Sequence, residues 1–101
     1  DSSEFKAIND FLVNRQGSCW VNSTKGLTGH TLGAAGSMEA LLCILSMKNN
    51  IIYGDGRDYE TFCSSKVDYI NQNLNDISVN VCVSNSFAFA GNMSSIVLSK
   101  I

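Results

Sequence analysis

Charge is scarce in this sequence. Asp, Glu, Lys and Arg make up 16% of its 101 residues, where an average soluble domain carries about 25%. A free-standing domain of this size normally solvates more of its surface, so the deficit implies that part of the surface faces other protein. Basic residues are not in excess either. Seven Lys and Arg stand against nine Asp and Glu, for a formal net charge of −2. That balance argues against nucleic acid and anionic membranes as main partners. No apolar run approaches the roughly 18 residues of a membrane span. No basic segment followed by an apolar core and a small-residue cleavage site opens the sequence, so the expectation is no signal peptide and a cytoplasmic location. Histidine occurs once, at His30, and no Cys-x-x-Cys pair exists. Structural zinc needs clustered ligands, so no metal site is expected. The four cysteines, Cys19, Cys43, Cys63 and Cys82, are widely spaced and lack secretory context. They read as reduced, packed small hydrophobes and not as a disulfide framework. Asn22-Ser23-Thr24 and Asn92-Met93-Ser94 fit a glycosylation sequon by chance in a chain rich in Asn and Ser.

What the sequence does have is an apolar content of 45%, enough for one packed domain. Asp1-Ser2-Ser3-Glu4 reads as a capping box, and Phe5, Ile8, Phe11 and Leu12 follow at helical spacing. This predicts a helix over residues 2–14, stopped near Gly17. Cys19, Trp20 and Val21 predict a short buried strand. A small-residue loop from Asn22 to Gly29 leads into His30. From Thr31 to Met47 the chain reads as a helix that is apolar on almost every side, which marks a buried helix. Gly33 and Gly36 cost it about 1 kcal/mol each relative to Ala, so close approach of a neighbouring backbone is expected there. Ile51 to Tyr53 predict a short strand, and Gly54-Asp55-Gly56 a turn. Residues 55–76 read mostly as loop. Ile77, Val79, Val81 and Val83 alternate with Ser78, Asn80, Cys82 and Ser84, giving a strand with one polar face. Ser95 to Leu98 predict a second strand. The short connection between them, Asn85 to Asn92, requires antiparallel pairing.

Gly26, Gly29, Gly33 and Gly36 surround His30. A Gly-rich loop before a helix can bind phosphate, but both the dinucleotide fingerprint and the Walker A pattern are absent. His30 falls at the expected N-terminus of the apolar helix, where the dipole favours a neutral ring. A neutral ring keeps one N–H to donate to an oxygen that acquires charge. Lys25 lies in the same loop. Glu39 lies on the helix among apolar neighbours, where a carboxylate needs a partner. The three can form one polar cluster in an apolar setting. They can equally be a capped helix, a solvated lysine and a locally satisfied glutamate, and chemistry alone favours that plainer alternative.

The order of residues adds a resemblance. Asn22-Ser23-Thr24-Lys25-Gly26-Leu27-Thr28-Gly29-His30-Thr31-Leu32-Gly33-Ala34-Ala35-Gly36-Ser37-Met38-Glu39-Ala40 resembles the Ser-Thr-Lys-x-x-x-Gly-His-x-x-Gly-Ala-Ala-Gly-x-x-Glu motif of β-ketoacyl-acyl carrier protein synthases. Ser84-Asn85-Ser86-Phe87-Ala88-Phe89-Ala90-Gly91 resembles that family's Ser-Asn-Ser-Phe-Gly-Phe-Gly-Gly turn. Asp68-Tyr69-Ile70 is similar to the segment before the family's final hairpin, and Asp1 to Glu4 to its Asp-x-x-Glu. The likeness runs the whole chain with its motifs in order.

The resemblance implies an α/β, thiolase-like lobe: a mixed sheet, a buried helix layer at 31–47, and a C-terminal antiparallel strand pair. It implies decarboxylative Claisen condensation of an acyl thioester with malonyl carrier protein, in fatty acid or polyketide synthesis. His30 matches the second catalytic histidine, which donates a hydrogen bond to the malonyl thioester oxygen as enolate charge develops. Lys25 matches the motif lysine, and Glu39 the helix glutamate that positions the network. Phe89 matches the gating phenylalanine, whose backbone N–H joins the oxyanion hole. Thr28, Phe87 and Phe89 fall at substrate-contacting positions. No cofactor is implied. The implied partners are acyl carrier protein, the N-terminal half with the nucleophilic Cys, and a second copy in a dimer. The family's nucleophile and first histidine lie upstream of the matched region. None of the four cysteines sits in a nucleophile-elbow context. Residues 1–101 therefore look like a C-terminal lobe, inactive by itself. Ala88 and Ala90 replace turn glycines, Asn92-Met93 departs from the usual His-Asn or Thr-Asn, and no proline occurs. A non-catalytic, chain-length-factor-like subunit is the alternative. A free-standing binding module is a third reading.

Overall fold

The computed structural model describes residues 2–17, 19–57 and 66–101. Along them run helix α1 (Ser2–Leu12), strand β1 (Cys19–Val21), the one-turn helix α2 (Lys25–Thr28), a 3₁₀ turn (Leu32–Ala34) and helix α3 (Ala35–Asn49). Strands β2 (Val67–Tyr69), β3 (Val81–Phe87) and β4 (Met93–Ser99) follow, with a second 3₁₀ turn (Phe89–Gly91) between the last two.

Helix α1 is shorter than the 2–14 its spacing predicts, and Gly17 turns the chain at φ +90°. Asp1 of the expected capping box lies outside the described residues, as does Cys63. The other end of α1 is held by Lys66. Its ammonium donates to the carbonyl oxygens of Leu12 (3.0 Å), Val13 (3.5 Å) and Arg15. A cation there satisfies carbonyls left over at a helix C-terminus and complements the dipole.

Among the described residues two sheets form, each of two strands. β1 runs parallel to β2, with Cys19 opposite Val67 and Val21 opposite Tyr69. β2 falls inside the 55–76 stretch that reads as loop. Three residues are too few to show a period, and the partner strand is remote in sequence. β1 forms as expected but is not buried, since Trp20 is exposed. The expected strand at Ile51 to Tyr53 reduces to one antiparallel bridge, Ile52 to Leu74, with both N–H···O distances at 2.9 Å.

β3 and β4 pair antiparallel, from Val81 opposite Ser99 to Phe87 opposite Met93. Their limits differ from the expected 77–84 and 95–98. Ile77 instead donates its N–H to Asn50 O (3.0 Å), which takes the segment before β3 away from the ladder. The facing of β3 is also reversed. Alternation predicts Val81 and Val83 inward; both are exposed, while Ser84 is buried and Cys82 half-buried against α3. The reason is steric. A Cβ on Gly36 would lie 3.3 Å from Ser86 Oγ, and Cys82 Sγ donates to Cys43 O at 3.8 Å. Helix and strand approach through a seam of small residues that valines would hold apart.

Helix α3 begins at Ala35, not at residue 31, because Leu32 takes φ +49° and the chain passes through a 3₁₀ turn first. It ends at Asn50, which adopts the left-handed cap conformation at φ +54°. Of the two helix glycines, Gly36 meets a neighbour and Gly33 meets nothing within 4 Å. The expected burial all round is not found in this chain. Ser46 and Met47 are buried, while Leu41 and Ile44 are each 49% exposed. α3 is covered on the hairpin side and open on the other. The main buried cluster is small and lies at its C-terminal end: Met47, Ile52, Ile70 and Val79, with Leu74, Ile77 and Leu98 against them, while Val67 on β2 is fully buried apart from it.

Candidate active site

The site is assembled where α2, the first 3₁₀ turn, the start of α3 and the bend of the β3–β4 hairpin meet. A cavity of about 530 Å³ opens there, and its wall includes Lys25, His30, Glu39, Phe87 and Phe89. Five of the six expected site residues are therefore brought together from two separate stretches of sequence. Thr28 is not on that wall. Its hydroxyl hydrogen-bonds the carbonyl oxygens of Thr24 (3.2 Å) and Gly29 (3.1 Å), so it serves α2 itself.

Lys25 is the first residue of α2. Its Nζ lies 2.6 Å from Glu39 Oε1 on α3, with side-chain exposures of 42% and 18%. The glutamate therefore has the partner that its apolar surroundings demand. The contact also ties α2 to α3 across the cavity.

His30 is exposed, and it sits between the two helices instead of capping the second. Gly29 leaves α2 at φ +75°, and the chain then folds back. Leu32 donates its backbone N–H to His30 Nδ1 at 3.1 Å. A nitrogen that accepts a hydrogen bond holds a lone pair. In the neutral ring the proton is therefore on Nε2, which remains the donor. The local backbone sets the tautomer.

The hairpin bend carries the aromatics. Phe89 is 90% exposed and Phe87 also stands largely in solvent. Phe89 is the first residue of its 3₁₀ turn, so its N–H has no acceptor within that turn. Ala88 is extended at φ −117° and unstrained, whereas Ala90 takes φ +60°. A left-handed alanine costs about 1–2 kcal/mol, so one of the two glycine replacements is strained and the other is not. Ala88 N–H donates to Asn92 O (2.8 Å), and Asn92 Nδ2 donates to Phe89 O (3.1 Å). The bend is thus closed on itself. Ser86, which the motif carried without an assigned role, also lines the cavity.

No described cysteine reaches this wall. Burial pushes the Cys43 thiol up to about 11, with the neighbouring Cys82 adding to the effect. Burial also raises Cys82, and burial with the Asp68 carboxylate raises Cys19. These are packed thiols, poor nucleophiles at neutral pH. Among the described residues no helix is long and apolar enough to cross a membrane.

The chain is similar to known proteins. The profile of the family described as "Beta-ketoacyl synthase, C-terminal domain" matches residues 1–55, which include the Lys25, His30 and Glu39 motif. Proteins named 3-oxoacyl-[acyl-carrier-protein] synthase 2 match along the chain. The one from Vibrio harveyi is 33% identical over 100% of this chain and 25% of its own length. That from Rhizobium meliloti is 32% identical over 99% of this chain and 24% of its own. That from Coxiella burnetii is 29% identical over 100% of this chain and 24% of its own. The chain thus spans about a quarter of the length of the relatives it matches. With more than half of its residues inside the family profile, the chain belongs to the β-ketoacyl synthase family, in the region of that family's C-terminal domain.

Proposed function

We propose that residues 1–101 are the C-terminal lobe of a 3-oxoacyl-[acyl carrier protein] synthase acting in fatty acid synthesis. In this reading the lobe joins an N-terminal part that carries the nucleophilic cysteine, and the thiolase-like layers are completed there, burying α3. The relatives' names support the reaction class. The observation that carries the residue roles is the His30 geometry. Nδ1 is occupied by the Leu32 N–H, so the neutral ring can offer a proton only from Nε2. The same cavity wall holds Lys25, Glu39 and the Phe89 bend.

The chemistry follows from that donor. Malonyl carrier protein loses its carboxylate as CO2. The electron pair of the broken C–C bond moves into the thioester, leaving negative charge on the carbonyl oxygen. The Nε2–H of His30 donates to that oxygen, strongest when the charge is greatest, which is the condition for lowering a barrier. The enolate carbon then attacks the acyl thioester held by the N-terminal part. The Phe89 backbone N–H stabilises the oxygen of the tetrahedral adduct, and the enzyme thiolate leaves. Lys25, with Glu39 holding it, supplies positive potential without giving up a proton. A retained histidine, lysine and glutamate in one cavity favours this over a non-catalytic, chain-length-setting subunit, which has no use for an aligned donor.

The test is His30→Ala in the intact protein that contains these residues, assayed by CO2 release from malonyl-acyl carrier protein. Loss of one donor at a developing oxyanion predicts a fall of about 10²–10³ in kcat. Unchanged decarboxylation overturns the assignment. The 101 residues alone are expected to show no turnover.

A further inference from the structure

Helix α2 carries Lys25, yet beyond its own backbone turn only the Thr28 hydroxyl braces it from within. Four residues make a single turn, and an isolated turn is unstable because nucleation fixes several dihedrals for one hydrogen bond. Its N-cap, Thr24, makes no side-chain capping bond. Something outside α2 must fix the position of Lys25.

The candidate lies directly beneath the helix. Asp55 is 6% exposed. A Cβ on Gly26 would lie 3.1 Å from Asp55 Cβ and 3.2 Å from its carbonyl oxygen, so α2 is seated on Asp55 through the residue next to Lys25. Asp55 is itself fixed. Its Oδ2 accepts the Tyr69 hydroxyl at 2.7 Å and its Oδ1 accepts the Arg57 N–H at 2.9 Å. The segment around it is clamped against the chain after β2. Gly56 N–H donates to Asn71 O (2.7 Å) and Gly54 N–H to Asn73 Oδ1 (3.0 Å). The backbone there is so close that a Cβ on Gly54 would fall 2.4 Å from Asn71 C. On the near side Asn22 Nδ2 donates to Tyr53 O at 2.6 Å, tying the strand-to-α2 loop to the same segment.

We infer that Asp55 and Tyr69 are positioning residues for Lys25: their part-buried hydrogen bond fixes the seat on which α2 rests and so sets where the ammonium meets Glu39. Neither residue lines the cavity with His30; Tyr69 lines a neighbouring cavity that also includes Lys25, and Asp55 reaches Lys25 through α2. The catalytic consequence rests on the proposed condensing function; the placement of Lys25 does not.

The experiment uses Tyr69→Phe in the intact protein, with Gly26→Ala as a second variant. Tyr69→Phe removes one hydrogen bond from the seat. Gly26→Ala leaves that bond intact and lifts α2 from above. Two readouts are taken. The first is the acetylation rate at Lys25 with an N-hydroxysuccinimide acetate ester, followed by mass spectrometry. Both variants should raise it relative to exposed Lys6. The second is steady-state condensation. Both should lower kcat by about 10- to 100-fold through misplacement, with KM for malonyl carrier protein little changed. In a Lys25→Ala background neither should lower kcat further. Unchanged Lys25 labelling overturns the inference, and so does a kcat loss that persists undiminished without Lys25. If the parent enzyme does not condense at all, the proposed function fails and the labelling still decides the placement.

Discussion

Breaking the Lys25–Glu39 pair from its two ends should cost different amounts. At 2.6 Å and an effective dielectric of 20, the bare attraction is about 6 kcal/mol, most of it offset by desolvation. What remains after a substitution depends on which charge is stranded. Glu39→Gln leaves an ammonium whose side chain is 42% exposed. It recovers water, and the cost should be about 1 kcal/mol, near the upper end for exposed pairs. Lys25→Met leaves a carboxylate 18% exposed on a helix with apolar neighbours. That charge regains little hydration. The cost should be about 2–3 kcal/mol, approaching the range for a broken buried pair. Removing both charges strands neither, so the double variant Lys25→Met/Glu39→Gln should return to within about 1 kcal/mol of the parent. The measurement is amide hydrogen exchange of peptides covering the start of α3, which reads local opening without requiring two-state unfolding of a large protein. Equal costs from the two ends, or strict additivity in the double variant, would refute the argument that the glutamate is the desolvated partner.

Two alanines two residues apart should respond oppositely to the same change. Ala90 is left-handed at φ +60° and Ala88 is extended at φ −117°. Ala90→Gly should stabilise the hairpin by about 0.5 kcal/mol after the entropy of the new glycine is counted, and Ala88→Gly should destabilise it by about as much; hydrogen exchange in β3 and β4 reads both, and a common sign defeats the strain argument. The Cys43 thiol, held at about 11 by burial against an ordinary 9.0, should be alkylated by iodoacetamide far more slowly at pH 8 than the same residue in urea. The folded state retains that proton after the unfolded state has released it. This thiol therefore leaves stability unchanged below pH 9 and lowers it as the pH rises from about 9 to about 11. Fast alkylation at pH 8 in the folded protein would show that the site is not desolvated.

The candidate site was more legible in the sequence than the packing around it. Lys25, His30 and Glu39 lie within one short stretch, so residue order alone groups them, and the cavity adds the Phe87 and Phe89 bend. Other features depend on contacts that no local pattern encodes. β2 is three residues whose pairing partner is β1, far away in sequence. Asp55 and Tyr69 meet only because the segment around Gly54 crosses the one around Asn71. Thr28 sits in the motif but turns its hydroxyl to the backbone of α2. His30 does not stand at the start of α3 as the sequence pattern predicts, for a physical reason. A histidine two residues from a left-handed Leu32 takes its hydrogen bond from that backbone, before α3 has begun.

The reversed facing of β3 bears on the whole architecture. Alternation normally puts branched apolar residues inward because one face of a sheet meets water. Here the small face, with Cys82, Ser84 and Ser86, meets α3, and the valines point away from it. A strand that gives its small residues to a helix and its large ones to the opposite side has two faces to bury. α3 has the same property, since Leu41 and Ile44 lie on the side away from the hairpin. Both elements therefore read as inner layers, with a narrow seam between them and apolar surfaces outward on each side. The parallel pair β1–β2 agrees, because parallel strands occur almost only in sheets covered on both faces. The scarcity of charge is the sequence-level form of the same fact. A chain whose middle layers carry apolar residues on both sides has few positions left for solvated side chains. The cavity beside Lys25 and His30 lies at the end of that seam, where the hairpin bend leaves α3. Closing the outer faces would exclude water from the site, and a drier site strengthens every charge interaction the proposed chemistry uses.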